Sequence, residues 1–107
     1  MEQLSIKECR NLLRIQSKDT INKYLKALKL FGNKYLNWEQ IRQVLELQIY
    51  LGLKHGRNSK EKFCQMTRQQ IEETFKSYGV DIDARLESLQ KIHRDSVHKN
   101  QNHVSIL

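Results

Sequence analysis

Residues 4–41 read LSIKECRNLLRIQSKDTINKYLKALKLFGNKYLNWEQI. Ser5 stands before Ile6-Lys7-Glu8, and a serine followed three residues later by a glutamate has the form of a capping box. The helix it opens is expected over 6–14, with Ile6, Cys9, Leu12 and Leu13 on its apolar side. Ile15-Gln16 makes a tight turn, and Ser17 stands where it caps a second helix. That helix is expected over 18–30, with Ile21, Leu25 and Leu28 on one stripe. Lys18, Asn22 and Lys26 recur at i, i+4, i+8 on the other side. A short wing, Phe31-Gly32-Asn33-Lys34-Tyr35, follows, and Asn37 with Gln40 repeats the capping-box spacing before a third helix. The pattern predicts an all-α fold with a small wing, headed by a winged helix-turn-helix. Its second helix would offer lysines and an amide to a major groove.

The charge distribution points the same way. Residues 1–38 hold eight Lys/Arg and three acids, a net of +5, and residues 39–107 hold eleven and nine, a net of +2, which together make the +7 of the chain. A local basic surface draws phosphate backbones by long-range attraction and counterion release. The ordinary alternative is a solvated lysine face. On the nucleic-acid reading, Ser17, Lys18, Asn22, Lys23 and Lys26 face double-stranded DNA. Asn22 is the candidate base reader, because an amide pairs bidentately with adenine. Lys23 and Lys26 are assigned to phosphates.

Downstream, the third helix is expected from Trp38 to about residue 53, burying Ile41, Val44, Leu45, Ile49, Leu51 and part of Gln48, with Gly56 near its end. Trp38 is expected in the core beneath the wing. A fourth helix over 60–78 is opened by Ser59, with Phe63, Thr67, Ile71, Thr74, Phe75 and Tyr78 as its buried stripe. Gly79 stops it and Asp81 caps a fifth. There Ile82, Leu86, Leu89 and Ile92 form a narrow stripe flanked by charges, as a coiled-coil seam does. Such a stripe must pack on the fourth helix or on a second subunit, and a homodimer is preferred. The tail over 99–107 is polar, ends in Val104, Ile106 and Leu107, and is either frayed or an apolar latch.

Absence of proline and only four glycines in 107 residues suit a nearly all-helical chain. The expected organisation is a DNA-binding head over 1–53 and a helical dimerisation region over 54–107. No apolar run approaches the roughly 18 residues of a spanning helix, and no leader pattern opens the chain, so a cytoplasmic, nucleoid-associated location without membrane contact is expected. Cys9 and Cys64 are isolated and read as reduced thiols. Spacings of five residues rotate His93, His98 and His103 by about 140° each on a helix, so they do not converge on a metal. No cofactor is expected. Nucleophile-elbow, phosphate-loop and HExxH patterns are missing, and Glu72-Glu73 diverge on a helix. The chain does not read as an enzyme. Tyr50, Phe63, Phe75 and Tyr78 could line a pocket, but at helical spacing they read as core.

Leu4-Ser5-Ile6-Lys7-Glu8, the run from Leu12 to Ile21, then Tyr24, Leu28 and Leu30, and Tyr35-Leu36-Asn37-Trp38-Glu39-Gln40-Ile41 resemble the winged-helix head of MerR-type transcription regulators. The resemblance covers roughly residues 3–50. Related heads occur in phage excisionases. The chain departs from the family pattern at Asn22, where arginine is usual, at Lys29-Leu30, where a glycine-leucine pair is usual, and in its abbreviated wing without arginines. The resemblance implies a dimeric, DNA-bending promoter regulator, with Tyr24 as a phosphate contact and Lys34 as the wing contact. The function expected is thus a homodimeric repressor on a palindromic operator. The alternatives are an excisionase-like bending factor and a protein-interaction adaptor built on the same fold.

Overall fold

The computed structural model describes residues 2–53 and 57–106, with side chains through Val97. A short strand, β1 (Gln3–Ser5), runs directly into α1 (Ile6–Leu12). Ser5 Oγ accepts the Glu8 N–H at 3.1 Å, and the Glu8 carboxylate accepts the Ser5 N–H at 2.9 Å. The expected capping box is therefore made. The helix ends two residues short of the expected Arg14, because Arg14 itself adopts a left-handed φ of 58°. The Ile15 N–H then reaches the Arg10 carbonyl at 2.9 Å and the Arg14 N–H reaches that of Asn11 at 3.2 Å, which is a Schellman end. This bend carries Leu13 and Ile15 into the core.

Ser17 caps α2 (Lys18–Ala27), its Oγ accepting the N–H groups of Asp19 and Thr20. This helix is shorter than the expected 18–30, for the same reason. Lys29 takes a φ of 60°, and the Leu30 N–H bonds the Leu25 carbonyl at 2.7 Å.

The expected small wing leads into a two-stranded antiparallel sheet. Its second strand, β2 (Tyr35–Asn37), pairs antiparallel with β1 in the register Gln3↔Asn37, Leu4↔Leu36, Ser5↔Tyr35. Leu4 and Leu36 face each other and are fully buried. A two-stranded ribbon is marginal alone, so this apolar face on the core is what holds it.

Asn37 and Gln40 form the second capping box, at the start of α3 (Trp38–Gly52). Ile41, Val44, Leu45, Glu46, Leu47 and Tyr50 are buried, whereas Gln48, Ile49 and Leu51 are half-buried. Four consecutive buried residues, 44–47, cannot share one helical stripe. α3 is the central helix and packs against α2, β2, α4 and α6. It ends at Gly52, and Gly56 lies outside the described residues.

The single helix expected over 60–78 is two, α4 (Ser59–Gln65) and α5 (Arg68–Ser77). Thr67 breaks it. Its Oγ1 accepts the Gln70 N–H at 3.1 Å while the Gln70 side chain accepts the Thr67 N–H at 2.8 Å. Thr67 is thus an exposed cap and not part of the buried stripe, while Phe63, Ile71 and Phe75 are buried and Tyr78 is exposed. Gly79, at φ 70°, ends α5, and Asp81 Oδ1 accepts the Ala84 N–H at 3.0 Å at the start of α6 (Ile82–Ile106).

One apolar cluster runs from Leu4 to Ile82, on both sides of the expected boundary at 53/54. The coiled-coil stripe is largely covered within this chain. Ile82 is 6% exposed, Leu86 and Leu89 pack half-buried on the same cluster, and only Ile92, at 53%, stands in solvent. α6 lies on α3 and α1, and its Ile82 shares the apolar cluster with Ile71 and Phe75 of α5. Its backbone stays helical through Ile106, where a frayed tail was one expectation; the side chains of Val104 and Ile106, and Leu107, lie outside the described residues. No helix among the described residues is long and apolar enough to cross a membrane.

An ionic knot ties α3, α5 and α6 together. Glu46 is 1% exposed and accepts both arms of the Arg68 guanidinium, with Arg42 Nε 3.6 Å away. Arg42 also bridges to Asp83 on α6, and Arg68 to Glu72 at 3.4 Å.

Candidate nucleic-acid interface

Ile21 and Leu25 turn into the core, and the opposite side of α2 faces solvent. Lys18, Lys23 and Lys26 are exposed, while Asn22 is half-buried. The reason is helical phase. Each four-residue step turns about 40° beyond a full circle, so the row Lys18–Asn22–Lys26 slants from the edge of the buried stripe towards the outermost line. Asn22, the middle of that row, lies on the flank of the helix beside the buried stripe, Lys26 lies further out, and Lys18, nearer the stripe in phase, is exposed at the first position of α2.

The lysines differ in their surroundings. Lys23 Nζ lies 3.2 Å from Asp19 Oδ2, one turn back. Both are exposed, so the pair adds little to stability, but it leaves a carboxylate beside that ammonium. Lys26 Nζ instead lies 4.8 Å from the centroid of the Phe31 ring. Lys34 is exposed in the segment between α2 and β2, flanked by exposed Phe31 and Tyr35. Tyr24 is half-buried against the core, and burial pushes its hydroxyl pKa up. Ser17 is exposed, with its Oγ engaged as the cap.

The structure adds Lys60, which the sequence reading did not single out. A groove of about 450 Å³ between α2 and α4 is lined by Lys23, Lys26, Ala27, Lys60, Glu61 and Cys64. The Cys64 thiol donates to the Ala27 carbonyl at 3.1 Å and so pins α4 to the end of α2. Burial and nearby Glu61 push this thiol's pKa up, against the pull of Lys29. No local pattern marks Lys60, because its role depends on which helix α4 packs against.

Trp38, the first residue of α3 after β2, is half-buried and packs on the apolar cluster. Its indole N–H donates to Glu2 at 2.6 Å, and its ring meets His93 of α6 edge-on at 5.9 Å. The other Glu2 oxygen lies 3.6 Å from His93 Nε2. Among the described residues no three His, Cys, Asp or Glu side chains are grouped to hold a metal, and the His98 and His103 side chains lie outside those residues. Tyr50, Phe63 and Phe75 are buried core residues, and of the four aromatics Tyr50 and the exposed Tyr78 line one open groove together, with Met66, Gln70, Glu73, Thr74 and Ser77.

No family model matches the chain, and neither a curated protein nor a solved structure matches it.

Proposed function

We propose that this chain is a sequence-specific DNA-binding transcription regulator of the winged helix-turn-helix kind, acting as a homodimeric repressor on a palindromic operator. The observation that carries the reading is the outer side of α2, where Lys18, Lys23 and Lys26 stand in solvent beside Asn22. Lys60 and Lys34 extend the same charge to neighbouring segments. A short amphipathic helix of this kind fits a major groove. In this reading α2 enters the groove, Asn22 reads a base, and Lys34 holds the adjacent backbone. Ile92 and Val97, both exposed on α6, are then the surface left for a second copy.

One observation favours a second reading, an excisionase-like factor that bends DNA by binding adjacent sites as monomers. Ile82, Leu86 and Leu89 are covered by this chain's own core, so most of the expected seam is not free for a partner.

Selection from a random duplex pool, followed by sequencing and footprinting, tests both. The repressor reading expects an inverted repeat protected on both halves; the bending reading expects tandem sites filled cooperatively. On the enriched site Asn22→Ala should lose about 1–3 kcal/mol and relax specificity, whereas Lys26→Ala should weaken all sequences alike. A pool that shows no enrichment, with both variants binding like wild type, overturns the DNA reading.

A further inference from the structure

Phe31 is a large apolar side chain that the core does not use. It is 55% exposed and is not among the residues packed on the apolar cluster. Its backbone is nevertheless fixed. The Phe31 N–H donates to the Leu25 carbonyl at 3.2 Å, sharing it with the Leu30 N–H at 2.7 Å. The Asn33 N–H then closes a turn onto the Leu30 carbonyl at 3.3 Å, with Gly32 at φ 100°. The ring is thus mounted on the last turn of α2 rather than on a free loop tip, and the Lys26 ammonium lies over it.

Resting on the DNA reading above, we propose that Phe31 is a positioning residue that holds the Lys26 ammonium ready for a DNA phosphate without cancelling its charge. Lys23 shows the contrast. Its partner is the Asp19 carboxylate, which must be displaced before a phosphate can take its place and which repels that phosphate. Among the described residues no carboxylate pairs with Lys26. An aromatic face attracts the cation through its quadrupole and carries no net charge, so the ammonium keeps its full pull on an anion. The need is physical. The C-terminal end of a helix carries partial negative charge and disfavours a phosphate there unless a cation is already in place. A free lysine side chain must also lose rotamer freedom on binding, and a ring that restrains it beforehand lowers that loss.

The test has two readouts. In the free protein, Lys26 methylene protons should be shifted upfield by the ring current in wild type and in Phe31→Trp, and not in Phe31→Leu. With a random-sequence duplex of about two helical turns at low salt, Phe31→Leu should weaken binding about two- to fivefold, and Phe31→Trp should restore it. The slope of log affinity against log salt should stay at the wild-type value in Phe31→Leu, because no charge is removed, but fall by about one in Lys26→Ala. In a Lys26→Ala background, Phe31→Leu should have no further effect. Additive losses for the two substitutions would mean that the ring contacts DNA itself and would overturn the positioning role. So would a missing ring-current shift in wild type. A wild-type protein that shows the shift but binds no duplex removes the DNA reading, and this role with it; a wild type that binds DNA with no Phe31–Lys26 coupling removes this role alone.

Discussion

Lys29 and Arg14 hold backbone conformations that L-residues adopt reluctantly, at φ 60° and 58°. Each is the left-handed residue of a Schellman end, the position that Gly79 fills at the end of α5. Lys29→Gly should therefore stabilise the protein by about 0.5–1 kcal/mol, since a side chain in that region costs more than glycine's extra backbone entropy. Urea unfolding measures it, and a lower midpoint would refute the strain. The two thiols give a second prediction at this scale. Burial pushes the Cys9 pKa up to about 12, so below that pH the group stays a thiol and does not act as a nucleophile. Cys64 is exposed. At pH 8 one thiol should react with an aromatic disulfide reagent in the native protein and the other only in denaturant. Two rapid equivalents would mean that α1 opens readily.

Among the elements, the join between α3 and α5 carries the largest electrostatic stake. Glu46 is buried, while Arg68 is nearly half exposed. The two ends of the pair are therefore not equivalent. Arg68→Ala strands a buried carboxylate with only Arg42 beside it and should cost about 3 kcal/mol. Glu46→Met removes the buried charge, keeps the volume, and leaves two arginines that can turn to water, so it should be nearly neutral. Equal losses for both variants in chemical denaturation would contradict this asymmetry. The same join explains why the helix over 60–78 breaks. Ending α4 at Gln65 and restarting at Arg68 lets Phe63 reach Tyr50, with ring centroids 5.4 Å apart, while Arg68 reaches Glu46.

For the whole molecule, α6 divides into a part that belongs to the core and a part that leaves it. Ile82→Ala should cost about 2–5 kcal/mol, as truncating a buried isoleucine does. Ile92→Glu should cost the fold of one chain little, because Ile92 is already half in solvent, and should lower the thermal midpoint only to the extent that a second copy covers it. If the homodimer reading holds, light scattering at micromolar concentration should give twice the chain mass for wild type and a smaller mass for Ile92→Glu. A wild-type mass of one chain favours the tandem-binding alternative. Charging Leu86 and Leu89 together should unfold the protein rather than merely separate subunits, since both pack on its own core.

The helix starts were legible in the sequence wherever a cap decides them. Ser5 with Glu8, Ser17, Asn37 with Gln40, and Asp81 all act through hydrogen bonds within three residues. Local chemistry suffices there. The exposed lysines of α2 were legible too, because burial of Ile21 and Leu25 sets the helical phase. Thr67 with Gln70 carried the same local signal, but Phe63, Ile71 and Phe75 keep a helical spacing across the break and hide it. What the tertiary structure alone decided are contacts between distant residues. These include the pairing of β1 with β2, Lys60 beside α2, the burial of Glu46 against Arg68, and the covering of Ile82, Leu86 and Leu89 by their own chain. An apolar stripe specifies that it must be buried, not by what. Its partner is set by which arrangement removes the most apolar surface from water while leaving every buried charge paired.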